Sequence, residues 1–176
     1  MSWVLLVVIA HFFNAGIFII DRYLLKKGFP NPLSYAFHVG ILSIFVLLFI
    51  PFGFSLPTIS QIILAFVAGG IWLLALFVFY TALHQGESSR VVPTVGGFIP
   101  LFTLVLSFIF LGERLSPKEL IAFCFLVGGG VFLSLLVTKA KIFSNNKRVC
   151  LNKAFMPALW AALFFAIYYV MTKFIF

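Results

Sequence analysis

Acidic side chains are almost missing from this chain. Only four occur, Asp21, Glu87, Glu113 and Glu119, so no paired-carboxylate motif for metal-diphosphate chemistry exists. His-Glu-x-x-His, Gly-x-Ser-x-Gly and phosphate-loop patterns are absent too, and the expectation is a protein that is not an enzyme. Cysteine is equally scarce. Cys124 sits inside an apolar run and Cys150 between two of them, too few and too differently placed for a disulfide framework or a metal site. No metal and no organic cofactor is implied. Charged residues make up 9% of the chain against 64% hydrophobic, which leaves far too little polar surface to cover a water-soluble globule. Nucleic acid is thereby excluded as a partner despite the formal net charge of +8. A nucleic-acid-binding patch needs a folded soluble domain, and here the charges fall in the breaks between apolar runs. The N-terminal run has no basic leader and no small-residue cleavage site; Asp21, Arg22, Tyr23 and two lysines follow it. It reads as an uncleaved span rather than a signal peptide.

What the chain has in abundance is long apolar runs. Six qualify as membrane spans: Trp3–Ile20, Leu33–Phe54, Ile62–Leu83, Val91–Leu111, Leu120–Val137 and Ala154–Phe176, with Lys173 the one charge inside them. The fourth holds twenty-one residues without a charge, enough at about 1.5 Å per residue to cross a hydrocarbon core of about 30 Å. Backbone groups cannot stay unpaired in lipid, so runs without barrel-like alternation must be helices, and the fold class is an all-α polytopic membrane bundle of six transmembrane helices. The lipid bilayer is its first partner. Gly112, Glu113, Arg114, Ser116, Pro117, Lys118 and Glu119 crowd the break between the fourth and fifth runs, so these two form a tight antiparallel hairpin. Ser116 is the expected N-cap, Pro117 the first helical residue, and Glu119 a carboxylate favoured by the positive end of the helix dipole. Residues 139–153 lack apolar continuity and read as a basic linker.

The close of the third run at Tyr80, Ala82 and Leu83, Pro100 in the fourth, the stretch Phe110-Leu111-Gly112-Glu113-Arg114-Leu115 and the glycines at 128 to 130 resemble the EamA domain of the drug/metabolite transporter superfamily. The resemblance implies a five-helix unit over residues 1–138, half of a ten-helix transporter that moves a small metabolite by alternating access between two inverted units. Gly112, Glu113 and Arg114 are its signature hairpin, and a bacterial inner membrane or its equivalent is its expected place. An offset of 151 pairs Ala10 with Ala161, Phe13 with Phe164, Ala15 with Ala166, Phe18 with Tyr169 and Arg22 with Lys173. The sixth span, within residues 154–176, therefore reads as the first helix of a second, incomplete unit. An odd number of spans per unit turns the second one upside down. On this reading the chain is a truncated form lacking about 116 residues of a roughly 290-residue protein, and its further partner is the missing half or a second copy.

Polar residues at mid-span depth are the candidate substrate contacts, because an unpaired polar group in hydrocarbon is costly and turns into the bundle or a watery cavity. His11 and Asn14 share one face of the first helix; an interhelical hydrogen bond and a substrate contact both fit them. His38, Trp72, Thr94, Thr103 and Tyr168 are candidates on the same ground. Gly96, Gly97 and Pro100 weaken the middle of the fourth helix, and a bent helix at membrane depth lines a cavity or is buried in protein. The small-residue pairs Ala65 with Gly69, and Ala158, Ala162 and Ala166, are expected to let helices approach closely. For Glu113 beside Arg114, a local ion pair is the expected role. No span contains an acidic residue, so proton coupling through a buried carboxylate has no candidate. A non-transporting membrane interaction protein or decayed gene fragment is the rival reading. Polar side chains converging from the first, third and fourth helices favour transport; scattered ones favour the rival. Loops 1, 3 and 5 carry nine basic residues against two on the opposite side, which places them in the cytoplasm. The family resemblance implies the reverse, with both termini inside.

Overall fold

The structure, a computed structural model, describes residues 3–29, 31–52, 57–112, 116–125, 127–129, 132 and 153–175. Among these every element is helical. They are α1 (Trp3–Lys27), α2 (Pro32–Leu42) continued by a 3-10 segment (Ser43–Phe52), α3 (Ile59–Gln85), α4 (Ser88–Leu111), α5 (helical at residues 117–125 and 127–129) and α6 (Phe155–Ile175). Glu113 and Arg114 of the signature hairpin, Gly130 and residues 139–152 of the linker lie outside the described residues.

Local chemistry accounts for the helix ends. Asn31 caps α2 by accepting the Leu33 N–H at 3.0 Å, with Pro32 in the first turn where a missing donor is harmless. Ahead of α3 the Thr58 N–H donates to Gln61 Oε1 at 2.9 Å. Gly112 ends α4 in the left-handed region, φ +66°, a conformation glycine enters without steric cost. At the start of α5, Ser116 and Glu119 form the expected cap: the Ser116 N–H and hydroxyl both reach Glu119 Oε2 at 2.8 Å.

Among the described residues four helices, α1, α3, α4 and α6, are long and apolar enough to cross a membrane, against the six spans read from the sequence. The second run is helical but not one α-helix. Ser43 donates its hydroxyl back to the Gly40 carbonyl where α2 ends and the i→i+3 segment begins, a back-bond that competes with the helical ladder. The fifth run is described only in part. The fourth is not interrupted: α4 continues through Pro93 and Pro100. Each proline removes one donor from the helical ladder, and the helix runs on past both.

Helix α6 makes the most extensive helix contacts of the bundle. It packs on α3 and α4, and two contacts fix its direction. Gln61 Nε2 at the start of α3 donates to the Ile175 carbonyl at the end of α6 at 2.8 Å, while Gly86, just past α3, lies against Ala154 at the start of α6. The two helices are therefore antiparallel. Ala158, Ala161, Ala162 and Ala166 are all buried, as are Ala75 and Ala82 of α3. Without a hydrophobic drive in lipid, such small residues let backbones close up and gain dispersion contact. Ala65 and Gly69 do not serve this way: both are exposed, and nothing lies within 4 Å of a Cβ built on Gly69.

The buried core gathers toward one end of the bundle, where α1 and α3 finish and α2, α4 and α6 begin. Leu25, Tyr35, Phe79, Tyr80, Leu83, Val91 and Ala154 are buried there, and Arg22, Lys26, Lys27, Arg90 and Lys153 ring it. This is the basic end. By contrast every residue of α1 from Trp3 to Ile17 is exposed.

Candidate functional site

Polar side chains do converge, but at the basic end rather than at mid-span. Asp21 is 7% exposed, because α1 continues through it to Lys27 instead of stopping at Ile20. The first apolar run itself holds no acidic residue; the helix outlasts the run and brings Asp21 into the bundle. Tyr35 of α2 donates its hydroxyl to Asp21 Oδ1 at 2.6 Å, and the Tyr35 ring meets the edge of Tyr80 of α3 at 4.7 Å between centroids. One carboxylate and two phenols thus tie three helices. The sequence signal was the i, i+4 pair Asp21 and Leu25, which puts both on one face of a helix longer than its hydropathy window.

Beside this cluster a cleft of about 330 Å³ is lined by Arg22 and Lys26 of α1, His84 and Gln85 of α3, Gly86 and Glu87 of the turn, and Arg90 of α4. Arg22 Nη1 reaches the Ser88 hydroxyl at 3.4 Å, a long contact to a neutral group. Arg90 Nε is enclosed with no hydrogen-bond partner among the described residues.

The residues predicted from mid-span depth are divided. Trp72 of α3 and Tyr168 of α6 meet at 4.7 Å, and Trp72 also touches Phe165 at 5.1 Å. From there rings continue through Phe79, 6.1 Å from Phe165, to Tyr80 and Tyr35, so an aromatic ladder joins mid-bundle to the basic end. Thr103 is half-buried in α4 with its hydroxyl enclosed and unpartnered among the described residues. Thr94 instead donates to the Arg90 carbonyl of its own helix at 2.7 Å. His38 is exposed, its Nδ1 2.7 Å from the Ser34 carbonyl and its ring against Phe29. His11 and Asn14 are exposed on the free stretch of α1 and are not brought together with Thr94, Thr103 or Pro100. Gly96 is exposed and Gly97 half-buried. Among the described residues the polar side chains that meet across three helices are those of the Asp21 cluster, at the basic end.

This arrangement, helices of span length joined by aromatic rings and closed at one end by a polar knot, belongs to a multi-pass membrane protein. No curated protein and no solved structure matches the chain. The EamA-like transporter family matches residues 1–136, from α1 through the fifth run. The chain belongs to the EamA-like transporter family.

Proposed function

We propose that the protein moves a small metabolite across a cell membrane of the bacterial inner-membrane kind. The family match over residues 1–136 carries this reading. The contact surface for the metabolite is the seam between α3, α4 and α6, where Trp72 and Tyr168 offer stacking faces and Thr103 an unpartnered hydroxyl. Residues 1–138 then form one five-helix unit, residues 139–153 a linker, and α6 opens a second unit of opposite orientation. Support comes from direction: α1 and α3 both end at the basic end, where Asp21, Tyr35 and Tyr80 meet, whereas α6 begins there. A second unit related by inversion starts with a helix running opposite to the first. The opposed unit is supplied by further residues or by a second copy.

The test is flux in membrane vesicles from cells that express or lack the protein, with radiolabelled amino acids, nucleosides and sugars as probes. Saturable movement of one class that depends on the protein, and that falls about tenfold in kcat/KM for Trp72→Ala as a stacking face is removed, is expected. Equal flux with and without the protein for every class overturns the reading.

A further inference from the structure

The cleft at the basic end is a feature that neither the packing of the core nor the transport reading uses. Arg22 and Lys26 stand four residues apart on α1 and so share a face. Arg90 comes to the same cleft from α4. Three basic side chains therefore converge on about 330 Å³, with Glu87 the one carboxylate among the lining residues. Arg22, Lys26 and Arg90 against Glu87 give the lining a formal net charge of +2. Arg22 Nη1 touches the neutral Ser88 hydroxyl, and Arg90 Nε has no acceptor among the described residues. An enclosed donor without a partner costs free energy, and cations gathered on one cleft add their fields there.

We propose that this cleft is a binding site for a phosphate-bearing anion. Two guanidinium groups offer planar forks matched to phosphate oxygens, and the ammonium of Lys26 supplies a mobile third charge. The volume accommodates a phosphate with a small attached group. The site lies where α1 and α3 end, at the level where lipid headgroups and dissolved phosphorylated metabolites are both at hand, and basic pockets between transmembrane helices bind lipid phosphates by this chemistry. Nothing in the assignment depends on a transport step, so it stands or falls apart from the function proposed above.

Purified protein in an uncharged detergent is titrated calorimetrically with inorganic phosphate and, separately, with short-chain phosphatidic acid. One-to-one binding of at least one probe is expected, weakening as salt is raised. Lys26→Gln and Arg22→Gln each lower the affinity about tenfold, while Lys118→Gln, exposed at the opposite end, leaves it unchanged. Lys26 is exposed, so its variant keeps the fold even if that of Arg22 does not. Binding of phosphatidic acid alone assigns the site to a lipid headgroup; binding of inorganic phosphate assigns it to a soluble anion. Failure of both probes, or equal weakening by Lys26→Gln and Lys118→Gln, overturns the proposal.

Discussion

Asp21 and Tyr35 join α1 to α2 through a single 2.6 Å hydrogen bond between buried side chains. Removing the donor leaves the carboxylate enclosed without that partner, so Tyr35→Phe is expected to lower stability by about 1–3 kcal/mol. Asp21→Asn keeps an acceptor oxygen in place and loses less. Thermal unfolding in detergent reads the order, and a Tyr35→Phe melting temperature equal to that of the parent removes the bond from the list of stabilising contacts. A second pair of variants separates crowded from open glycines. A Cβ on Gly86 would lie 2.7 Å from Ala154 Cβ and 2.9 Å from Val91 Cγ2. Neither neighbour has a long side chain that can swing away, and Gly86→Ala costs about 1–3 kcal/mol by overpacking. On Gly96 the same atom meets nothing within 4 Å, and Gly96→Ala in the middle of α4 is neutral or stabilises by about 0.5–1 kcal/mol through helix propensity. Equal melting shifts for the two variants would contradict this contrast. Part of the crowding at Gly86 is invisible in the local sequence, because Ala154 at the start of α6 is some seventy positions away.

At the scale of elements, the cap of α5 makes a pH prediction. Hydrogen bonds from the Ser116 N–H and then from its hydroxyl hold the exposed Glu119 carboxyl below its ordinary value of 4.5. A lowered folded-state pKa means that the cap contributes fully above the ordinary carboxylate range and is lost as pH falls through the folded value. Amide exchange in the first turn of α5, compared at matched intrinsic rates, should therefore quicken below about pH 4. Glu119→Gln keeps the reciprocal cap but has no proton to gain, and its exchange should lose this step. The cap was legible in the sequence because every partner lies within three residues. So were α1, α3, α4 and α6, whose apolar runs exceed what any neighbour needs to specify. The second run was misread as one α-helix, since hydropathy measures length and polarity but not the back-bond of Ser43. Pro100 weakens the ladder of the fourth helix without ending it, and α4 is continuous from Ser88 to Leu111. The mid-span candidates fared according to whether a partner helix reaches them. Trp72 and Tyr168 meet because α3 and α6 close along their alanines, while His11 and Asn14 sit on a stretch of α1 that no described helix covers.

For the molecule as a whole, direction in the membrane follows from where the charges collect. Arg22, Lys26, Lys27, Arg90 and Lys153 all lie at the end where α1 and α3 finish and α4 and α6 begin, while Lys118 stands at the far turn, near the start of α5. Lysine and arginine in short loops hold their side in the cytoplasm. The basic end is therefore expected to face inward, the turn before α5 outward, and the start of α1 outward as well, the reverse of what the family resemblance implies. The phosphate-binding cleft would then open toward the cytoplasm, beside the anionic leaflet, where each nearby Lys or Arg gains about 1 kcal/mol from the surface potential. Accessible cysteines decide the matter. Ser89, exposed at the start of α4, marks the basic end, and Ser60, exposed at the start of α3, marks the other. With Cys124 and Cys150 replaced by serine, Ser60→Cys should react with a membrane-impermeant maleimide in intact cells. Ser89→Cys should react only after the membrane is opened or in inside-out vesicles. Reaction of Ser89→Cys from outside intact cells, with Ser60→Cys protected, would turn the protein over and place the basic cleft on the external face, so that an anion held there is captured from outside.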